Sequence, residues 1–385
     1  MRSPAITHVI ASINEEVGGP AVSCSRLCLS LQALGIDSQL TTIDYERHGP
    51  LKAPELGPFP KANKLTEWGR GWSPSLKQTI AKTTSSRGGI IHNHGCWMFP
   101  NIYARTIALK YGMPLITSPR GMLEPWAMLH RSKVKQWAWH WYEKQNLSSV
   151  SAFHATSESE VQSIRDLGFD QPIYLVPNGV DMPITTPARP DISDPFVLFM
   201  SRIHPKKGLS ILFRAWKSLE PITKSWQLVI AGPDLDNYWS TLHQEFPWIR
   251  DHPKIHCVGS VRGEFKTQLL THASIFALPT HSENFGQVVA ESLGHGTPVL
   301  TTDQTPWTSL SSRGCGWVSK ADPEIFTDSL KSALETSPNI LEKMGQQGKF
   351  WMESEFSWKR IAASMAQAYN HMTKMGPAPD FLLTS

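Results

Sequence analysis

Apolar residues along this chain fall into short runs separated by stretches of helical spacing. In the first half, the runs at 6–12 (ITHVIAS), 37–43 (DSQLTTI), 89–95 (GIIHNHG), 113–119 (MPLITSP) and 149–157 (SVSAFHATS) read as strands. Amphipathic patterns lie between most of them, the clearest being AVSCSRLCLSLQAL, closed by Gly35. The alternation resumes in the second half with runs at 196–201, 226–232, 254–260, 274–280 and 297–303. Buried runs spaced by helices predict parallel sheets covered on both faces. The expected class is therefore α/β, with two doubly wound, Rossmann-like domains.

Around 178–195 (NGVDMPITTPARPDISDP) the composition turns to Pro, Asp and Thr, which marks a linker. This bounds an N-terminal domain over 1–180 and a C-terminal domain over 190–355. The stretch 46–75, rich in Pro and Gly with scattered Trp and Lys, reads as a long surface excursion. In open parallel sheets ligands bind beyond the carboxyl ends of the strands, so the loops that follow strands are where chemistry is expected. No GxGxxG follows the first strand, which weighs against a dinucleotide oxidoreductase.

Composition narrows the picture. A chain of 385 residues exceeds one ordinary core, and 40% hydrophobic with 18% charged residues describes a folded protein. The net charge of +4 suits anionic ligands or a membrane surface without demanding either. No dense Lys/Arg run or nucleic-acid motif is present, so no nucleic-acid partner is expected. Five cysteines without a CxxC pair argue for a reducing compartment and no disulfide framework. Neither a signal-peptide pattern nor an apolar run of about 18 residues occurs, so the expected location is cytoplasmic.

Candidate chemistry concentrates in HSENFGQVVAESLGHGTPVL (281–300). Asn284 can cap a helix, FGQVVAESL has helical spacing, and Gly294 and Gly296 end it before Pro298. Glu283 then lies just ahead of the helix and Glu291 about two turns in, roughly 10–12 Å along the axis. Two carboxylates so spaced, flanking a helix N-terminus that favours anions, suit an extended ligand with a sugar, a diphosphate and a ribose. In SRIHPKKGL (201–209), Arg202 and Lys206 or Lys207 follow a strand and open a helix. They read either as a diphosphate clamp or as a solvated basic turn. Gly18 and Gly19, between the first strand and its helix, permit close approach of a phosphate or form an ordinary flexible turn. His92 and His94 at a strand end are either structural or catalytic. His8, His92, His94, Asp44 and Glu15 carry no recognised metal spacing, so no metal is expected. No GxSxG elbow is present.

The segments GGPAVSCSRLCLSLQALG, PRGMLEPWAM (119–128), FHATSESE (153–160), LVPNGVD (175–181), SRIHPKKG (201–208) and LPTHSENFGQVVAESLGHGTPVL (278–300) together resemble the family 4 glycosyltransferases of the GT-B fold. The last looks like that family's paired-glutamate motif, with Glu283 and Glu291 as its ends. FSWKRIAASMAQAY (356–369) is similar to the family's last helix, so the stretch 356–375 is expected to pack back on the first domain, the acceptor side. The resemblance implies that Arg202 and Lys207 bind the donor diphosphate and Glu291 the ribose hydroxyls. It places Glu283 at the donor sugar, with the backbone N–H groups of Asn284, Phe285 and Gly286 nearby. It also implies that Gly18 and Gly19 cover the diphosphate, that His94 lies near the donor sugar, and that Val258 and Gly259 bracket the base. Asn284 departs from the family's usual Gly, and Ser201 replaces a frequent Gly.

The implied reaction moves a sugar, with retention and without a metal or other cofactor, from a UDP- or GDP-linked donor to a hydroxyl of a saccharide or lipid-linked acceptor. This is chemistry of bacterial polysaccharide or glycolipid assembly. A nucleotide-sugar epimerase is the alternative on the same fold. The stretch KVKQWAWHWYEKQNL (133–147) reads either as an interfacial face for peripheral contact with the inner side of a membrane, or as a helix partly buried under the first sheet.

Overall fold

The computed structural model describes residues 3–14, 18–129, 132–192 and 195–384. Glu15, in the loop after the first strand, lies outside them. The chain divides into two compact units. Unit 1 is Met1–Gly179 with Trp358–Ser385, and unit 2 is Val180–Ser357.

In chain order the strands are β1 (Ile6–Ile10), β2 (Ser38–Thr41), β3 (Ile90–His94), β4 (Leu115–Ser118), β5 (Ala152–Ala155), β6 (Ile173–Leu175), β7 (Phe196–Met200), β8 (Gln227–Ala231), β9 (Ile255–Gly259), β10 (Ile275–Leu278), β11 (Val299–Thr302), β12 (Gly316–Ser319) and β13 (Leu382–Leu383). Unit 1 holds the sheet β13-β6-β5-β4-β3-β1-β2, and unit 2 the sheet β12-β11-β10-β7-β8-β9. All pairings are parallel except β13, which runs antiparallel to β6. Both sheets are doubly wound, and the central strands are buried on both faces, which is why they read as continuous apolar runs. The strands β6, β12 and β13 have no counterpart in the apolar pattern. They lie at or next to one end of their sheets and hold three, four and two residues.

One face of the unit 1 sheet is covered by the helices Gly19–Ala33 and Trp358–Met372, which bury Leu27, Leu31, Ile361, Met365 and Tyr369 against Ile6, Ile90, Ile116 and Tyr174. The opposite face packs Ile80, Tyr103 and Ile107 on Val9, Ile91 and Phe153. Gly179 is required here, because a Cβ at that position would lie 2.4 Å from the Trp358 ring. In unit 2 the helices Leu209–Ser218 and Pro323–Leu334 help to close a core built on Phe196, Phe199, Phe213, Phe276 and Phe326.

Two expectations change. The stretch 46–75 is not a pure surface excursion: Leu51, Leu56 and Phe59 pack with Ala53, Ile10, Ile13 and Cys24 in a small core of their own. Proline and glycine there make compact turns, and the side chain of Asn63 caps the short helix Lys64–Trp68. The Trp-rich stretch is interrupted by a π-helical turn, Trp139–Glu143, between the helices Ser132–Ala138 and Lys144–Ser148. The turn directs Trp139 and Tyr142 toward Trp97, with the Tyr142 hydroxyl donating to the Trp97 carbonyl at 2.9 Å. Trp137 and Trp141 instead stack on each other at 4.3 Å and stay 56% and 71% exposed. Among the described residues, no helix is long and apolar enough to cross a membrane.

Candidate functional site

In unit 2 the site begins where β7 ends. Arg202 is exposed, and Pro205–Lys207 form a 3-10 turn rather than the opening of the helix. Gly208 separates that turn from the helix Leu209–Ser218. Its φ is +71°, and a Cβ there would fall 1.9 Å from the Pro279 carbonyl oxygen. Only glycine allows this close approach. The two loops are then sewn together: the Thr280 hydroxyl and the His281 N–H both donate to the Lys206 carbonyl, at 3.1 and 2.8 Å. Lys207, turned inward and 8% exposed, is thereby held in a hydrogen-bonded ion pair with Glu283.

Glu283 sits in a braced loop. Its N–H donates to the Gln304 carbonyl at 2.9 Å, and the Trp307 indole N–H donates to the Phe285 carbonyl at 2.6 Å. Phe285 packs edge-on to Trp307, which in turn meets Trp351 and Phe356. The left-handed Gly286, φ +71°, caps the helix Gln287–Gly294. The helix therefore starts at Gln287, later than an Asn284 cap would place it, because the chain turns once more at Gly286. Asn284, Phe285 and Gly286 form the approach to its N-terminus. Glu291 is on the second turn, and its carboxylate pairs with Lys266 at 2.8 Å. Lys266 lies on the separate helix Gly263–His272, and nothing in the motif pattern points to it. Val258 and Gly259 close β9, where a register shift between Ile230 and Ala231 sets Ala231 opposite Gly259. Val258 is exposed and Gly259 half-buried at the sheet's carboxyl end.

In unit 1, Gly18 has φ +80°, a conformation that favours glycine, and precedes the helix Gly19–Ala33 without a side-chain cap. Among the described residues, no atom lies within 4 Å of a Cβ built at Gly18 or Gly19. His94 ends β3 and is 1% exposed. It belongs to a cluster created by register, since β1 sets His8 beside His92 and the rings of His92 and His94 stack at 4.0 Å.

The hydrogen bonds of this cluster define its tautomers. Arg120 can only donate, so His94 Nδ1 accepts its bond, at 3.1 Å. The proton of His94 is then on Nε2 and is given to His8 Nδ1 at 2.9 Å. His8 must carry its proton on Nε2, which is buried without a partner among the described residues. The second chain starts from the Val176 carbonyl, which accepts from His154 Nε2 at 2.8 Å. His154 Nδ1 accepts from the Ser118 hydroxyl at 2.7 Å, Ser118 accepts from His92 Nε2 at 2.8 Å, and the Tyr369 hydroxyl donates to His92 Nδ1 at 2.6 Å. Burial, followed by the Arg120 charge, depresses His8 and His154 to about 3. Burial and the neighbouring rings and Arg120 hold His92 and His94 well below the usual imidazole range. All four are neutral near pH 7.

The ring nitrogens of His8, His92 and His94 lie within 4.8 Å of one another, a spacing that could suit a metal ion. The donor set does not fit one. Each Nδ1 lone pair already accepts a hydrogen bond, each Nε2 carries a proton, and a buried guanidinium stands beside them. Arg120 itself, like Lys266, is absent from the candidates read off the sequence. Its signal there is weak: a cation just before Gly121, at a strand end.

Two family models cover most of the chain. "Glycosyl transferases group 1" matches residues 187–351, and "Glycosyl transferase 4-like domain" matches 18–179. A GDP-mannose:cellobiosyl-diphosphopolyprenol alpha-mannosyltransferase of Komagataeibacter xylinus is 21% identical over 378 residues, covering 95% of this chain and 93% of its own. Among solved structures, sucrose-phosphate synthase from Thermosynechococcus elongatus superposes with a TM-score of 0.72 at 18% identity, over 97% of this chain and 100% of the other. Anabaena Alr3699/HepE in complex with UDP-glucose follows with a TM-score of 0.71 at 16% identity, over 95% and 99%.

Proposed function

From the premise that the chain belongs to the family 4 glycosyltransferases of the GT-B type, we propose that it transfers a hexose, with retention of configuration and without a metal, from a nucleotide-diphosphate-sugar to a hydroxyl of a saccharide or lipid-linked saccharide. The observation that carries this reading is the ion pair of Lys207 with Glu283 on two loops locked together ahead of the Gln287–Gly294 helix, with Glu291 on that helix. The pair brings an ammonium and a carboxylate to one point. A diphosphate needs the first, and a donor sugar with positive charge developing at its anomeric carbon needs the second.

In this reading Lys207, Arg202 and the N–H groups leading into the helix stabilise the departing diphosphate. Glu291 accepts from the ribose hydroxyls, with Lys266 holding its carboxylate in place, and Val258 and Gly259 flank the base of a UDP- or GDP-linked donor. No other cofactor is invoked. The leaving phosphate takes the proton of the attacking acceptor hydroxyl on the face it leaves, so the configuration is kept. Gly18 and Gly19 offer backbone to the diphosphate. His94 has both ring nitrogens engaged, so it acts at the donor sugar by shape and polarity rather than as a proton donor. The K. xylinus relative is named for a diphosphopolyprenol-linked acceptor, which supports a lipid-linked acceptor here. The exposed Trp137–Trp141 stack beside Lys133 supports peripheral contact with the inner membrane face.

The test is a donor screen followed by NMR of the product. A nucleotide-sugar that stabilises the protein should be consumed faster when an acceptor is added, and the new bond should keep the donor's anomeric configuration. Inversion would overturn the front-face mechanism. Conversion of the donor to an epimer without any acceptor would favour the epimerase alternative.

A further inference from the structure

Arg120 follows β4 in unit 1 and takes a left-handed backbone conformation, φ +58°, immediately before Gly121 at φ +74°. Such backbone is unfavourable for a residue other than glycine. The side chain it delivers is 9% exposed. One terminal nitrogen donates to the Asn178 side-chain carbonyl at 2.6 Å and the other to His94 Nδ1 at 3.1 Å. Nε–H is buried with no partner among the described residues.

Both of its partners are neutral. The imidazoles around it are uncharged, and Cys24, whose thiol burial raises far above its usual range, carries no negative charge either. The carboxylate whose charge it feels, Glu160, accepts from the Gly121 N–H at 2.6 Å and from the Thr156 N–H and hydroxyl at 2.8 and 3.0 Å. Among the described residues Arg120 has no carboxylate partner. An arginine buried without one is costly, and proteins keep it where an anion arrives to complete it. Its surroundings agree. It lies at the carboxyl ends of the β3 and β4 strands, where parallel sheets bind ligands, and its charge reaches Cys24 on the uncapped helix Gly19–Ala33, whose N-terminus also favours anions.

We propose that Arg120 is the cationic centre of an anion site in unit 1, with Asn178 and His94 as its supports, built to receive phosphoryl oxygens. The glycosyl-transfer reading supplies two carriers for that anion: the diphosphate of the donor, or a phosphate on the acceptor. The planar guanidinium accommodates either, since its free Nε–H, together with a terminal nitrogen released from one support, presents two parallel donors to a phosphate edge.

The experiment measures thermal stabilisation and calorimetric binding of inorganic pyrophosphate, which requires no turnover and so does not depend on the transferase reading. Four full-length proteins are compared with wild type: Arg120→Gln, Arg120→Lys, Asn178→Asp and Lys207→Ala. Lys207→Ala should keep part of the pyrophosphate effect, because the unit 1 site remains. Arg120→Gln should weaken pyrophosphate binding by about tenfold or more, the loss of a charge-assisted contact, with partial recovery in Arg120→Lys. Asn178→Asp sets a carboxylate against the guanidinium without touching Arg120. It should raise the melting temperature of the unliganded protein and cut the pyrophosphate response back to the part that the Lys207 clamp in unit 2 supplies, an outcome that a merely structural arginine would not give. UDP and GDP then separate the carriers. If Arg120→Gln weakens the nucleoside diphosphate as much as pyrophosphate, the anion belongs to the donor. If it weakens only pyrophosphate and a sugar phosphate such as glucose 1-phosphate, the anion belongs to the acceptor. Wild-type pyrophosphate affinity in both Arg120→Gln and Asn178→Asp would overturn the site.

Discussion

Replacing Lys207 by Met separates what this residue does for the fold from what it does for the reaction. The Lys207 and Glu283 side chains are only 10% and 12% exposed, so the substitution leaves a poorly hydrated carboxylate without its cation. Removing one partner of a buried pair costs about 3–5 kcal/mol. In a unit of this size each kcal/mol moves the melting temperature by about 2–4 °C, so a drop of about 6–20 °C is expected. Adding Glu283→Gln to Lys207→Met removes the stranded charge, and most of that loss should return. Turnover behaves differently. If Lys207 stabilises the departing diphosphate, its removal costs about 2.7–4 kcal/mol at the transition state, a fall of about 100- to 1,000-fold in kcat. The double variant should therefore be nearly as stable as wild type and still nearly inactive. Calorimetry and a donor-consumption assay on wild type, both single variants and the double variant decide it. A double variant that recovers turnover along with stability would refute the leaving-group role and reduce Lys207 to a structural counter-ion.

Glu291→Ala should weaken binding of the free nucleoside diphosphate by about 10- to 150-fold, the value of charge-assisted bonds to ribose hydroxyls, and unchanged calorimetric affinity would move the ribose elsewhere. Turnover should persist in excess EDTA, and loss that a divalent ion restores would show that the reaction uses a metal. Glu143, buried beside Cys96, Trp97 and Asn146, has its pKa raised by burial to about 7. A carboxyl harder to ionise folded than unfolded contributes nothing unfavourable below about pH 4.5 and destabilises progressively as pH rises to about 7, levelling off above it. Glu143→Gln should accordingly gain stability relative to wild type as pH rises through that window, on the order of 3 kcal/mol at pH 8, and denaturant melts at pH 4.5 and 8 that differ equally for both proteins would contradict it.

Much of the site was legible because its residues follow strands in sequence. Glu283, Glu291, Arg202 and Lys207 stand in two short motifs, and local spacing alone brings each to the carboxyl end of β7 or β10. Where the helix after β10 begins was not legible. Asn284 has the composition of a cap, but the left-handed Gly286 takes that place, and the loop that requires it is braced by Trp307, which belongs to another part of the chain. The histidines were visible as HNH, and only the family resemblance gave His94 a place, near the donor sugar. Which lone pair each one uses depends on Arg120, Ser118, Tyr369 and His154, and the fold brings those groups together from three other segments, the end of β4, β5 and the helix Trp358–Met372.

The α/β class and the two rounds of strand–helix alternation come from the sequence by itself, because burying a strand on both faces or a helix on one stripe imposes a period that is read a few residues at a time. The pairing of charges is decided only in the tertiary structure. Lys266 meets Glu291 because one helix packs beside another, Lys207 reaches Glu283 because Gly208 lets its loop close on Pro279, and Arg120 meets His94 and Asn178 because β3, β4 and the chain at Asn178 converge on it. None of these partners is adjacent in sequence. Coulomb and hydrogen-bond energies depend on distances of a few ångströms, and those distances exist only after the sheets have closed.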